Sequence, residues 1–415
     1  MNTLIIGAGG VAKITAHKCA QVNDILGDIC IASRHQDKCD EIIESVHRKN
    51  NIKNRKKRIF SKQLNAFNVS DTIKLIEKTD SSIVLNLGTA FLNMSILEAC
   101  IRTGVSYLDT AIHEEPDRVA TICEPPPWYA NYEWKRKDRC DAAKINAILG
   151  IGFDPGVVNA YCAYAQNKLF DEIDTIDILD VNAGSHGRYF ATNFDPEINF
   201  REFVGDAWEW ENRVWTKYPM HAVKKIYDFP VVGKQTMYLT GHDEIHSLHK
   251  NIKANTIRFW MSFSDHYIKC FSVLKNIGLL SEKSVKTAEG IEVIPLKVVK
   301  ACLPDPKSLA KDYTGKTCIG CLINGTKNNE RKEYFIYNIC DHKECFKETE
   351  SQGISYTAGV PITTAAVLLA KKIWNPMKMV NVEELDPNPF IKLLGEMGLG
   401  TETIEITKNN QMLCL

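Results

Sequence analysis

The strongest constraint on what this chain can fold into lies in its first twelve residues, MNTLIIGAGGVA. An apolar strand of the fully buried type (Leu4, Ile5, Ile6) empties directly into Gly7-Ala8-Gly9-Gly10-Val11-Ala12, a G-x-G-x-x-A turn. In a dinucleotide-binding βαβ unit each small residue has its own task. Gly7 lets the chain turn sharply out of the strand, and Gly9 lets backbone N–H groups approach a pyrophosphate. Ala12 lets the next helix pack closely on the sheet. Gly10 and Val11 open that helix, whose unpaired N–H groups and positive dipole end face the phosphates. Small residues continue along one face at Ala12, Ala16, Cys19 and Ala20. A bare strand-to-helix turn has the same glycines. The buried strand before this one and the small-residue helix after it favour a nucleotide site.

A second strand, Ile29-Cys30-Ile31-Ala32, ends at Ser33-Arg34, where the ribose-reading residue falls. A site for NAD wants Asp or Glu there, to accept from the ribose 2′-hydroxyl. Ser33 and Arg34 instead offer a hydroxyl and a guanidinium fork suited to a 2′-phosphate, so NADPH is the expected cofactor. Two further strand exits fall on the same side of a parallel sheet. Asn86-Leu87-Gly88 follows the strand at 82–87, and Asp109 and Thr110 end the strand at 105–110. Ligands bind outside the carboxyl ends of such strands, which makes Asn86, Leu87, Asp109 and Thr110 cofactor-site candidates.

Composition narrows the function classes. Lys plus Arg and Asp plus Glu both number 51, a formal charge of zero that argues against a nucleic-acid or anionic-membrane surface. The basic run Arg55-Lys56-Lys57-Arg58 has no aromatic residues interleaved and reads as a solvated loop. No apolar run is expected to span a membrane; the longest, near residues 358–370, contains Thr363 and Thr364. The glycine turn at residue 7 leaves no room for a signal-peptide core, and the 14 cysteines are scattered. A cytoplasmic protein with reduced thiols is therefore expected.

A chain of 415 residues exceeds one ordinary core, and its patterns change twice. Strands and helices alternate through the first 150 residues, predicting an α/β, Rossmann-type, doubly wound parallel sheet. The prolines at 125–127 mark a linker or crossing. A short strand at 146–151 then leads into Gly152-Phe153-Asp154-Pro155-Gly156, where Pro155 suits a first helical turn capped by Asp154. Aromatic and β-branched residues dominate from about 175 to 324, with strands expected at 175–181, 236–239, 256–261 and 291–300. Segments 316–324 and 332–340 read as a hairpin. This stretch is expected to be an inserted α+β, mixed and largely antiparallel sheet domain for substrate binding and dimerisation. Gly359-Val360-Pro361 then opens an apolar helix that Asn375-Pro376 stops. The expected organisation is 1–150 for the cofactor, 151–355 for the insertion, and 356–415 packing back on the first domain.

Four pieces, GAGGVAKITAHKCAQ, GIGFDPGVVNAYCAYA, YLTGHDEIHSLHKNI and YNICDHKEC…ISYTAGVPITTAA, together resemble the saccharopine dehydrogenase/reductase-like family. The likeness runs from Met1 to about Leu399 and is strongest to the carboxynorspermidine/carboxyspermidine dehydrogenase branch. The run Asp109–Glu114, DTAIHE, departs from the family's DTANYE-like stretch, so no role carries over to Ile112 or His113. The resemblance implies a Rossmann domain with an inserted mixed-sheet domain. It also implies NADPH-dependent coupling of an amine to an aldehyde, here aspartate β-semialdehyde with putrescine or 1,3-diaminopropane. A saccharopine reductase, or a nucleotide-binding regulatory protein that lost catalysis, are the other readings.

Imine formation and hydride transfer need few protein groups, chiefly orientation and one proton carrier. Asp154 is the expected carrier, since the resemblance implies that the DPG motif lies beside the nicotinamide and substrate. Helix capping explains the same residue equally well. Gly156, Asn159, Asn193, Arg201 and His246 are candidates for the substrate side; Asn193, Asn199 and Arg201 lie close together, and an arginine fork suits a carboxylate. For the diamine's distal ammonium, Glu209, Glu211, Asp243 and Glu244 beside Trp208 and Trp210 are all possible partners. The expected partners are small molecules and a second copy of the chain, with no nucleic acid and no membrane.

No metal is expected. His242, His246 and His249 are not an H-E-x-x-H motif. Cys318 and Cys321 sit three apart on an expected strand and so point to opposite faces.

Overall fold

The computed structural model describes residues 1–115, 131–407 and 409–414, so the proline-rich stretch 124–128 lies outside the described residues. Six strands of the first sheet come in order along the chain: β1 (Thr3–Ile6), β2 (Ile29–Ser33), β3 (Ile59–Gln63), β4 (Ile83–Asn86), β5 (Ser106–Asp109) and β6 (Ala147–Leu149). A seventh, Met379–Asn381, arrives more than two hundred residues later and pairs with β6. Every pairing is parallel, and the spatial order is Met379–Asn381, β6, β5, β4, β1, β2, β3. The order reverses between β1 and β4. That reversal opens a crevice beyond their carboxyl ends, directly over the glycine turn.

Helices cover both faces, which is why β1 and β4 are buried at every position and mostly apolar. The Gly10–Gln21 helix packs against the Gly353–Ala370 helix through the small-residue face expected of it. The helices touch so closely that a Cβ on Gly359 would fall 2.7 Å from Ile14 Cβ, and Thr15 Oγ1 donates to the Gly359 carbonyl at 3.2 Å. This second helix begins earlier than expected. Gln352 caps it by accepting from Ile354 N, and Pro361 lies in its interior rather than at its start. It is a helix long and apolar enough to cross a bilayer, but about four-fifths of it is buried inside the fold.

The second sheet holds ten strands. Its centre, Glu172–Asn182 beside Ala254–Ser262, is a parallel pair, so the sheet is mixed; the remaining pairings are antiparallel. The expected hairpin is Lys316–Lys327 with Glu330–Asp341, turning on Asn328 and Asn329, both with positive φ as a two-residue turn requires. Cys318 and Cys321 fall into different core clusters on the two faces of their strand. The strand expected at 291–300 is instead mainly the Pro295–Cys302 helix. Pro295 presets its first turn and buries Leu296 and Val299 one turn apart, which outweighs the β-branched composition. Nor does all of 356–415 return to the first sheet: Glu402–Glu405 and Leu413–Cys414 add strands to the second.

Candidate active site

Two cavities meet where the sheets face each other. The larger, about 490 Å³, lies over the carboxyl ends of β1, β2 and β4. Gly7, with φ +129°, turns the chain under it, and a Cβ there would fall 2.3 Å from the Leu87 carbonyl oxygen. A Cβ on Gly9 would meet nothing within 4 Å, so the loop presents bare backbone to open space. Neither a side-chain cap nor an acidic residue occupies the first turn of the Gly10–Gln21 helix. Its first N–H groups are therefore available to phosphate oxygens. Arg34, His35 and Lys38 line the far end of the cavity, where an NAD-type site would need a carboxylate. These residues fit NADP(H).

The cofactor candidates divide clearly. Gly7, Gly9, Gly10, Val11, Ser33, Arg34 and Leu87 line the cavity, and Ala12 is buried beneath it. Ser33 is engaged in a local turn, its hydroxyl donating to the His35 carbonyl at 2.8 Å, so Arg34 and Lys38 carry the charge. Asn86 and Asp109 are corrections. Asn86 donates to Asn93 and Tyr107, and Asp109 accepts from Tyr107 Oη at 2.8 Å and Gly150 N at 2.7 Å. Both carboxyl and amide tie the sheet to its underlying loops and do not line the cavity. Thr110 packs beside Gly152, next to the cleft but not lining it. Sequence reading missed Lys38, one helical turn beyond Arg34, and Phe67, 51% exposed on the cavity wall.

Replacing Arg34 with Asp should raise the NADPH dissociation constant by about 10- to 100-fold, because a fork that pairs with phosphate becomes a repelling charge. NADH binding should change little. Calorimetric titration with both cofactors checks this, and an unchanged NADPH preference would remove Arg34 from the site.

The second cavity, about 370 Å³, shares Asn193 and Phe194 with the first and is also lined by Asp180, Asn199 and Tyr267. Asp180 on its wall belongs to a cluster of acidic groups. Asp154 stands in the turn after β6, Asp180 on the central strand Glu172–Asn182, Glu202 on the Pro196–Val204 helix, and Asp243 and Glu244 before the Ile245–Asn251 helix. Among them lies one imidazole, His242, whose Nδ1 meets Glu244 Oε2 at 2.6 Å while its ring stacks on Phe259. Burial and the neighbouring Asp180 push the Asp154 carboxyl well above the usual range. Burial likewise raises Asp180 to about 6, Asp243 to about 7 and Glu202 to about 8. Burial alone would lower His242, but Glu244, Asp154 and Glu202 hold it well above its ordinary value, as an imidazolium.

Two acceptors in this group stay unmet. Asp180 Oδ1 and Glu244 Oε1 are buried without a hydrogen-bond partner among the described residues. Orphaned buried carboxylate oxygens call for a donor that the fold itself does not supply, and Asp180 lines the cavity. The cleft joins the cofactor side through the backbone. Ala111 lines the first cavity, and the N–H of the next residue, Ile112, donates to Asp243 Oδ2 at 3.3 Å.

Asp154 is not a helix cap. The helix Val157–Tyr164 is capped at Gly156, whose N–H donates to Asn159 Oδ1 at 2.8 Å. Gly156, with φ +136°, is pressed against Gly152, leaving no room for a side chain and no face toward the cavities. Of the substrate candidates, only Asn193 lines them, with Oδ1 accepting from Tyr313 Oη at 2.7 Å. Asn159 is 2% exposed and also donates to Glu383 at 2.9 Å. His246 is buried flat against Trp215, at 4.5 Å between ring centres. Arg201 is 1% exposed and ion-paired to Glu114 and Glu282, so its fork is committed to the fold. Glu209 and Glu211 are likewise structural, accepting from Phe259 N and from Tyr218 Oη. Asp180 and Glu202 escaped the sequence reading, since each alone looks like an ordinary polar residue, and His242 was weighed there only as a metal ligand.

Comparison with known proteins identifies the family and the fold. The family model for the saccharopine dehydrogenase NADP binding domain matches residues 3–148, and that for the saccharopine dehydrogenase C-terminal domain matches 152–399. The chain is 45% identical over 406 residues to a carboxynorspermidine synthase of Vibrio alginolyticus, spanning 98% of this chain and 97% of that one. It is 42% identical over 399 residues to a carboxyaminopropylagmatine dehydrogenase of Synechocystis sp., spanning 96% of both. A solved apo saccharopine dehydrogenase (L-Glu forming) from Saccharomyces cerevisiae shares the fold, with a TM-score of 0.69 over 98% of this chain and 100% of that one, at 11% identity.

Proposed function

Because this chain belongs to the saccharopine dehydrogenase family, as an NADP-dependent oxidoreductase, we propose that it joins aspartate β-semialdehyde to a diamine by reductive condensation. The diamine is putrescine or 1,3-diaminopropane, and the product is carboxyspermidine or carboxynorspermidine, on the route to spermidine-type polyamines. One observation carries the reading: the cavity sharing Asn193 and Phe194 with the cofactor cavity is lined by Asp180, which belongs to a cluster of buried carboxylates, two of them with unmet oxygens. A doubly cationic diamine supplies the donors that this cluster lacks. The relatives named carboxynorspermidine synthase support the same choice.

NADPH supplies the hydride that reduces the imine carbon. The chain does the rest. Gly9, Gly10 and Val11 offer backbone N–H groups to the pyrophosphate, and Arg34 with Lys38 holds the 2′-phosphate. Asp154 gives its proton to the carbinolamine hydroxyl, which departs as water and leaves the protonated imine; the resulting carboxylate takes a proton from the reacting ammonium of the next diamine, freeing the amine that attacks the aldehyde. Asp180 and Asp243 hold the distal ammonium, while the His242 imidazolium keeps the charge of the cluster from mounting. The active unit is proposed to be a homodimer.

Asp180 and Asp243 give a pH dependence with a definite sign. Both are protonated in mildly acidic solution and become carboxylates as pH rises through about 6 and about 7. The diamine KM should therefore fall severalfold between about pH 5.5 and about pH 8, while the NADPH KM moves little. A diamine KM that is flat or rising over this window would remove these two residues from the ammonium site.

The reading is tested with purified protein, NADPH, aspartate β-semialdehyde and a panel of amines, following loss of reduced nicotinamide absorbance. Putrescine or 1,3-diaminopropane should support turnover. Agmatine belongs in the panel because of the relative named for carboxyaminopropylagmatine. Turnover only with an aminoadipate-type semialdehyde and glutamate would replace the proposal with a saccharopine reductase.

A further inference from the structure

We propose that Lys307, carried by the second half of the chain, is a third cation of the 2′-phosphate site. Through it, cofactor binding holds the two halves of the molecule together. The inference rests on the NADP-binding reading and adds a residue that lies far outside the nucleotide-binding region 3–148.

Lys307 is the second residue of the short 3₁₀ segment Pro306–Asp312. Its base is firmly set. Asp305 caps the segment by accepting from Lys307 N at 2.9 Å, and Leu309 and Ala310 are buried beside Tyr313 and Ala191. From there the side chain crosses to the glycine turn, and Nζ donates to the Ala8 carbonyl at 2.5 Å. Ala8 lies between Gly7 and Gly9, so the ammonium stands at the floor of the cofactor cavity, which Lys307, Arg34 and Lys38 line together.

Lys307 has no direct ion-pair partner among the described residues: no carboxylate pairs with Nζ within ion-pair distance, and one oxygen of the adjoining Asp305 caps the segment. Burial depresses its affinity for a proton, with Lys38 adding to the effect and Asp305 and Glu41 only partly opposing it. One of its three N–H groups meets Ala8, leaving two to be used. The pyrophosphate already has the helix N-terminus. The dianionic 2′-phosphate is the group that the Arg34–Lys38 end of the cavity must hold, and Lys307 completes that end from the opposite wall.

Lys307→Gln keeps a donor for the Ala8 carbonyl and removes the charge; Lys307→Arg restores the charge. Calorimetric titrations of the full-length protein with NADPH, NADH and adenosine 2′,5′-bisphosphate separate the outcomes. For Lys307→Gln, affinity for NADPH and for the bisphosphate should fall about tenfold or more, with NADH unchanged and with most of the loss regained in Lys307→Arg. Equal losses for NADH and NADPH, or no loss for either, would overturn the assignment. Wild-type protein that failed to bind NADPH would instead overturn the cofactor reading beneath it. Matching melting temperatures of the two variants and wild type without cofactor exclude an unfolded Lys307→Gln.

Discussion

Asp154→Asn is expected to lower kcat by about 10²- to 10⁴-fold, the usual worth of a positioned proton carrier. Asparagine keeps the shape of the side chain and can hydrogen-bond, but it cannot give up and recover a proton. The expectation comes from where Asp154 sits and from how its neighbours act on it. Burial, Asp180 and Glu244 all favour the protonated carboxyl, with His242 opposing them. A carboxyl that holds its proton near neutrality can deliver it to a departing hydroxyl, which an ordinary exposed aspartate cannot do. NADPH affinity should be unchanged, because Asp154 does not line the cofactor cavity. A purely structural aspartate would show the opposite pattern, a lower melting temperature with kcat nearly intact. That pattern would remove Asp154 from the chemistry.

The second large effect concerns stability. Arg201→Met is expected to destabilise the protein by about 3–5 kcal/mol, the cost of leaving a buried carboxylate without its partner. Arg201 Nε meets Glu114 at 2.8 Å, Nη1 meets Glu282 at 2.5 Å, Nη2 donates to the Glu115 carbonyl at 3.1 Å, and the guanidinium lies over Phe91. These contacts join the Pro196–Val204 helix to the loop that follows β5. Methionine fills similar volume, so the loss reports charge rather than a cavity. Glu114 is already raised by burial, even with Arg201 beside it. Without Arg201 it should rise further, so the variant loses more stability as pH rises through that value and less in acid. Adding Glu114→Gln should recover much of the loss. Urea unfolding followed by tryptophan fluorescence measures both, and a single variant as stable as wild type would contradict the ion-pair account.

What the sequence made legible was local. Gly7 to Ala12, the β2 exit at Arg34 and the small-residue helix face are each contiguous, and each carries its physical reason within a few residues. The mixed second sheet was visible as composition, but its parallel centre was not, because Glu172–Asn182 and Ala254–Ser262 pair across some eighty residues. The same distance hid the carboxylate cluster. Asp154 and Asp243 were candidates one at a time, but Asp180 and Glu202 alone read as solvated charges, and nothing local joined the four. Only folding brings the four acids together. Arg201 erred the other way: a lone arginine in a polar run looked available, and burial between Glu114 and Glu282 engaged it. Lys307 had no local signal at all, since its meaning depends on Ala8, 299 positions away.

The central claim is that hydride passes from NADPH to an imine joining an aldehyde and a diamine in the acidic cleft. NADPH carrying deuterium at the reactive nicotinamide carbon, incubated with enzyme, aspartate β-semialdehyde and putrescine or 1,3-diaminopropane, tests it directly. Mass spectrometry should find one deuterium in a secondary amine that contains both carbon skeletons. Deuterium found only in an alcohol from the aldehyde, with no amine incorporated, or no cofactor oxidation with either diamine, would contradict the account.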